Sequence, residues 1–138
     1  MSALTFILVV LVAFIAGVAS VVDERQFHRP LVACTLMGFA LGDPTTGIML
    51  GGALELIALG WMNVGAAMAP DSALASTISA VVVIQGHQDI TTGIAIAVPL
   101  AAAGQVLTIF VRTITVFFQH QADNFAKTAN FRGIELMH

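Results

Sequence analysis

Two apolar runs long enough to cross a bilayer bracket three that are too short to do so. Ala3–Val22 holds 20 residues, broken only by Thr5, Gly17 and Ser20, and residues 90–111 hold 22 without a charge. At a rise of about 1.5 Å per residue, about 20 helical residues cover a hydrocarbon core of roughly 30 Å. Residues 31–41, 48–62 and 73–84 form the shorter runs, of 11, 15 and 12 residues. Runs of that length fit re-entrant or broken helices. Irregular backbone at membrane depth persists only where protein buries it or where it lines a watery cavity. Such breaks mark solute sites near the midplane of transporters. An ordinary hairpin protein with its spans divided differently fits the same runs.

Composition narrows the class. Charged residues make up 9% of the 138 and hydrophobic ones 58%, whereas a soluble domain carries about 25% charged residues. The expected fold is all-α: a polytopic integral membrane protein with short re-entrant or broken helices between two longer spanning ones. It is read as one membrane domain over residues 1–138, with no soluble domain. A net charge of −3 argues against a nucleic-acid partner, which requires a basic footprint. The single Cys34 excludes an internal disulfide framework and a cysteine-cluster metal site. Residues 2–22 contain no Lys or Arg, so the first run lacks the basic start of a signal peptide and reads as a retained helix.

The breaks between runs carry recognisable caps. Pro30 suits the first turn of a helix, as does Pro44 behind the N-cap candidate Asp43. Asp71 or Ser72 caps the third short run. Pro99 lies inside the long run, where it removes one backbone hydrogen bond and is expected to kink the helix near Ala95. Two ridges of small residues, Gly47–Gly51 (with Glu55 at the next step of four) and Gly93–Ala97–Ala101, favour close helix packing in lipid. Arg112 reads as a membrane-surface marker. The tail over 113–131, with Phe117, Phe118, Phe125 and Phe131 among polar residues, reads as a helix in the interface or against a partner.

Glu55 is the most informative residue. A carboxylate at the centre of a membrane helix costs about 2.5–3.5 kcal/mol on insertion scales, so it faces protein or a cavity. It can accept hydrogen bonds from a polar substrate, carry a proton, or serve as a paired structural acid. Asn63 and Asp71 flank a small-residue break after Trp61. An amide and a carboxylate suit sugar hydroxyls, since the carboxylate accepts and the amide both donates and accepts. A Trp ring can cover the apolar face of a sugar. The alternatives are turn chemistry for Asn63, an N-cap for Asp71 and an interfacial anchor for Trp61. Glu24, Gln26 and His28 line the first polar break, as cavity lining or as a solvated connection. No nucleophile motif, phosphate loop or metal-ligand spacing occurs, so no catalytic residue, metal or cofactor is expected.

Several stretches resemble one family along essentially the whole chain. They are Asp23-Glu24, Gln26-Phe27-His28-Arg29-Pro30-Leu31-Val32-Ala33-Cys34-Thr35-Leu36, and Gly52-Ala53-Leu54-Glu55-Leu56-Ile57-Ala58-Leu59-Gly60-Trp61-Met62-Asn63-Val64-Gly65-Ala66-Ala67. Ala69-Pro70-Asp71-Ser72-Ala73-Leu74-Ala75-Ser76 and residues 101–108 and 111–116 continue the likeness. The chain resembles the C subunit of enzyme II in the mannose/fructose/sorbose family of the bacterial sugar phosphotransferase system.

The resemblance implies a sugar-translocating subunit of a phosphoenolpyruvate-dependent system, in the bacterial cytoplasmic (inner) membrane. Its implied partners are a membrane D subunit (IID), cytoplasmic A and B subunits (IIA and IIB), a hexose and the lipid bilayer. C–D pairs are expected to assemble as a trimer. The phosphoryl group passes through the A and B subunits, so this chain holds and presents the sugar. Glu55, Asn63 and Asp71 are the first-choice sugar ligands, and Gln26, His28 and Glu24 the second. Family C subunits are longer, and this chain resembles their first half. It is expected to be part of a longer or split subunit that does not transport sugar alone. Two other classes are half of a proton-coupled transporter, with Glu55 as the coupling acid, and a structural or receptor subunit.

Overall fold

The computed structural model describes residues 2–22, 26–62, 65, 68–128, 133 and 135. Every regular element among them is α-helical: α1 (Ala3–Val22), α2 (Pro30–Leu41), α3 (Pro44–Ala58), α4 (Ser72–Gln85) and α5 (Ile90–Lys127). Two long helices bracket three short ones, following the apolar runs of the sequence. The chain divides into two compact units, Met1–Gln105 and Val106–His138.

In the first unit α2 packs against α1, α3 and α4, while α4 also meets α1 and α3. The tightest approach is between α2 and α3, and glycine permits it. An added Cβ on Gly47 would lie 2.5 Å from the Cys34 carbonyl oxygen. One on Gly51 would lie 2.9 Å from the Pro30 oxygen and 3.0 Å from the Leu31 Cα. The Gly47–Gly51 ridge therefore faces α2, and its next step of four delivers Glu55 to the start of that helix. The turn joining the pair closes on Gly42, whose φ of 87° suits a residue without a Cβ. Asp43 then caps α3 by accepting from the Thr46 amide at 3.1 Å, with Pro44 in the first turn. The helix begins at Pro44, four residues before the apolar run that announces it, and ends at Ala58. Cap and proline outweigh polarity here, because the polar Thr45 and Thr46 lie inside the capped first turn.

The core holds Val12, Cys34, Met37, Leu50, Leu54, Ala75, Ala80, Val83, Ala97 and Ala101. A second cluster, Ala16, Ala33 and Ala73, sits where α1, α2 and α4 meet through methyl groups alone. The small ridge of α5 is also buried: Gly93, Ala97 and Ala101, continued by Gly104. Gly93 abuts Val83 and Leu50, and Gly104 abuts Asp71 and Leu74.

α1 leaves most of its surface uncovered, with 17% of its most apolar window buried. Phe6, Val10, Phe14 and Val21 are among its exposed side chains. An uncharged helix with that profile suits lipid. The second unit holds the later part of α5. There Phe110, Phe117 and Phe118 are exposed, and the last two rings meet edge to face at 5.9 Å. The helix continues past Arg112 to Lys127 without interruption, so the amphipathic tail begins as an extension of α5. Pro99 lies within the helix.

Candidate functional site

The N-terminus of α2, the C-terminal turn of α3 and the N-terminus of α4 are connected through the short polar segment before Pro30. A helix start leaves backbone N–H groups without intrahelical acceptors, and in lipid no water replaces them. α2 begins without a cap of its own, because the N-cap residue Arg29 makes no side-chain capping bond. Glu55 supplies the acceptor from α3. Its Oε2 takes the Leu31 amide at 3.1 Å and its Oε1 pairs with the Arg29 guanidinium. The carboxylate thus serves as a cap donated by a neighbouring helix. Its charge also complements the positive end of the α2 dipole. The Glu55 side chain is 19% exposed, which places it away from lipid.

His28 sits one residue before this ion pair. Its carbonyl accepts from the Ser72 hydroxyl at 3.2 Å, tying the segment to the first turn of α4. Its ring nitrogen Nδ1 is buried and has no hydrogen-bond partner among the described residues. A buried polar atom without a partner is uncommon in folded proteins. Gln26 lies on the same turn and is exposed, with φ of 62°. Its carbonyl accepts from the Arg29 amide at 2.9 Å.

Asp71 caps α4. Its Oδ1 accepts from the Leu74 amide at 3.0 Å, while its own amide donates to the Ala101 carbonyl at 3.0 Å. Gln105 donates from Nε2 to the Met68 carbonyl at 2.6 Å. An added Cβ on Gly104 would lie 2.6 Å from the Cβ of Asp71. The approach to α4 is thereby fixed to the first part of α5. Leu31, His28, Asp71 and Met68 all lie at helix breaks, and each has a backbone polar group satisfied by one of these contacts.

The structure thus links three of the sequence-selected residues through this junction. Glu55 is at its α3 side, His28 on the connecting segment, and Asp71 beside Ser72 on its α4 side. Glu24 and Asn63 lie outside the described residues. Trp61 is partly buried and packs against the main core, in keeping with an apolar role. Arg29, Ser72 and Gln105 were not singled out as site residues by the sequence reading. For Arg29 a signal existed: it is the cation immediately before a helix-starting proline, on a chain whose nearby membrane carboxylate needs a partner. Ser72 and Gln105 carry no comparable signal, because their partners are backbone carbonyls. Among the described residues no group of His, Cys, Asp and Glu is arranged to hold a metal.

The arrangement offers carboxylate acceptors and a ring nitrogen, which suits binding of a polyhydroxylated molecule. The comparisons bear on the family. The sequence model described as the sorbose-specific IIC component of the PTS system matches residues 3–138. The chain belongs to this family. It is 67% identical over 138 residues to the fructose permease IIC component of Bacillus subtilis (strain 168), covering 100% of this chain and 51% of that protein. It is 64% identical over 135 residues to the mannose-specific EIIC component of Escherichia coli (strain K12), covering 98% of this chain and 51% of that protein. A solved structure of the mannose transporter ManYZ with microcin E492 matches at a TM-score of 0.88 and 63% identity. That match covers 100% of this chain and 56% of the other. This IIC-family chain spans about half the length of the curated relatives it matches. Its regular elements among the described residues are all helical, in keeping with a family of membrane IIC components.

Proposed function

We propose that this chain forms part of the sugar path of a mannose/fructose/sorbose-type membrane complex, in which it holds a hexose for phosphorylation by a partner. His28, Glu55 and Asp71 are the central ligands, joined by Gln26, Glu24 and Asn63. The observation that carries the reading is the junction itself. Hydrogen bonds link the starts of α2 and α4 and the last turn of α3 through the His28–Arg29 segment, which carries a buried, unpartnered imidazole nitrogen next to the Arg29–Glu55 pair, in a chain of a sugar-permease family. A sugar ring presents hydroxyls that donate to carboxylates and to an unprotonated ring nitrogen, and accept from amides. Asp71 uses Oδ1 for its cap, and a carboxylate has a second oxygen with which to accept a hydroxyl. One carboxylate can therefore cap the helix and hold a hydroxyl.

On this reading the chain works in the bacterial cytoplasmic membrane as a multi-pass segment of a C subunit. That subunit pairs with a D subunit, and the pairs assemble as a trimer. The cytoplasmic A and B subunits deliver the phosphoryl group, and the contribution of this chain is alignment. Membranes holding the complete C subunit and its D partner, supplied with phosphoenolpyruvate and the soluble components, test it. Fructose, mannose, sorbose and N-acetylated hexosamines are compared. Phosphorylation of one of them, lost in Asn63→Ala and His28→Ala complexes that still assemble, supports the reading. An assembled complex that phosphorylates none of these sugars overturns it.

A further inference from the structure

The backbone at His28 is held from both sides, by Arg29 through its pair with Glu55 and by Ser72, and neither Arg29 nor Ser72 belongs to the candidate ligand set. On the C-terminal side, Arg29 pairs with Glu55, and that carboxylate also takes the Leu31 amide. On the α4 side, the Ser72 hydroxyl donates to the carbonyl of His28 itself. Between these points the Arg29 amide closes a turn onto the Gln26 carbonyl at 2.9 Å, and the Ala33 amide returns to the Arg29 carbonyl at 2.9 Å. The backbone on both sides of His28 is therefore committed, while its Nδ1 is buried and unused.

We infer that Arg29 and Ser72 are positioning residues: the Arg29–Glu55 ion pair and the Ser72–His28 hydrogen bond together fix the His28 ring for a sugar hydroxyl. The inference rests on the proposed reading of His28 as a ligand. A buried polar group is valuable to a ligand only if it is preorganised, because a ring free to turn away repays its fixation out of binding free energy. Arg29 suits the task, since its guanidinium keeps its charge and its planar fork holds a carboxylate in a set geometry. Ser72 adds a bond to the backbone of the residue being aimed.

The test measures kcat and KM for mannose and fructose phosphorylation in the complete complex. The variants are Arg29→Met, Arg29→Lys, Ser72→Ala and His28→Ala, and Arg29→Met and Ser72→Ala are repeated in the His28→Ala background. Arg29→Met is expected to raise KM about 10-fold, with kcat held within about twofold, and Ser72→Ala to raise KM about threefold. Arg29→Lys is expected to recover part of the loss. In the His28→Ala background both effects on kcat/KM are expected to vanish, because residues that act through a third group are not additive with it.

If His28→Ala leaves KM unchanged, the ligand reading falls. If His28→Ala raises KM while the Arg29 and Ser72 variants do not, the positioning role falls and the site stands. An Arg29 effect of undiminished size in the His28→Ala background also overturns it. Should Arg29→Met prevent assembly, Arg29→Lys and Ser72→Ala carry the same test.

Discussion

At the scale of single residues, the decisive fact is that the Glu55 carboxylate is doubly employed. Glu55 pairs with a guanidinium and caps a helix that has no cap of its own. Glu55→Ala leaves both the Leu31 amide and Arg29 without this acceptor at a part-exposed site, an expected loss of about 1–3 kcal/mol. Glu55→Gln keeps an oxygen for the Leu31 amide and is expected to cost about 1 kcal/mol. Thermal unfolding of the purified complex should therefore rank wild type above Glu55→Gln and Glu55→Ala lowest. Equal midpoints for the two variants would refute the capping role. Asp71 separates fold from function in the same way. Asp71→Ala is expected to cost about 1 kcal/mol for the lost cap. Asp71→Asn keeps a capping oxygen, so a complex that unfolds normally yet has a raised sugar KM would identify the carboxylate as a ligand. Unchanged KM in that variant would confine Asp71 to its cap.

At the scale of elements, the sequence announced more of the fold than of the site. Run lengths predicted two long and three short helices, and Asp43, Pro44 and Asp71 marked two of the short starts. The Gly47–Gly51 ridge even carried the position of Glu55, since the step of four that puts glycines against α2 puts the acid at its end. Boundaries set by polarity alone drifted, as at Pro44, because a capped first turn tolerates threonines. At the junction, Glu55 was legible because a carboxylate is chemically out of place in an apolar run, and Asp71 because it precedes one as a cap. Arg29, Ser72 and Gln105 act on backbone or on a distant residue, so their roles arise from tertiary placement that no local pattern encodes. Adjacent glycines test the ridge. Gly51→Ala would press a Cβ onto backbone at 2.9–3.0 Å, whereas Gly52 has nothing within 4 Å. Gly51→Ala is expected to cost about 1–3 kcal/mol and, by moving Glu55, to lower kcat/KM. Gly52→Ala is expected to leave sugar kinetics unaltered and to stabilise slightly through its better helix propensity. Equal behaviour of the two would remove the ridge from the account.

At the scale of the whole molecule, the exposed apolar helices need a surrounding that is itself apolar, which a lipid bilayer supplies. In it, the irregular backbone between α1 and α2 and between α3 and α4 must find partners within the protein. Glu55, Ser72, Ala101 and Gln105 supply such partners at the described breaks. The same surrounding sets the demand on α1, whose Phe14 is 69% exposed near mid-helix. If that face meets lipid, Phe14→Lys carries a charge towards the hydrocarbon at a cost of about 2.5–3.5 kcal/mol, reduced by snorkelling, whereas Phe14→Leu preserves the apolar surface. The expected outcome is a smaller fraction of Phe14→Lys protein retained in membranes after an alkaline carbonate wash, with Phe14→Leu retained as wild type. The substitution Ser2→Lys, at an exposed position just before α1, serves as the control, since an ammonium there reaches the interface at little cost. Equal retention of Phe14→Lys and Ser2→Lys would mean that α1 does not lie at membrane depth.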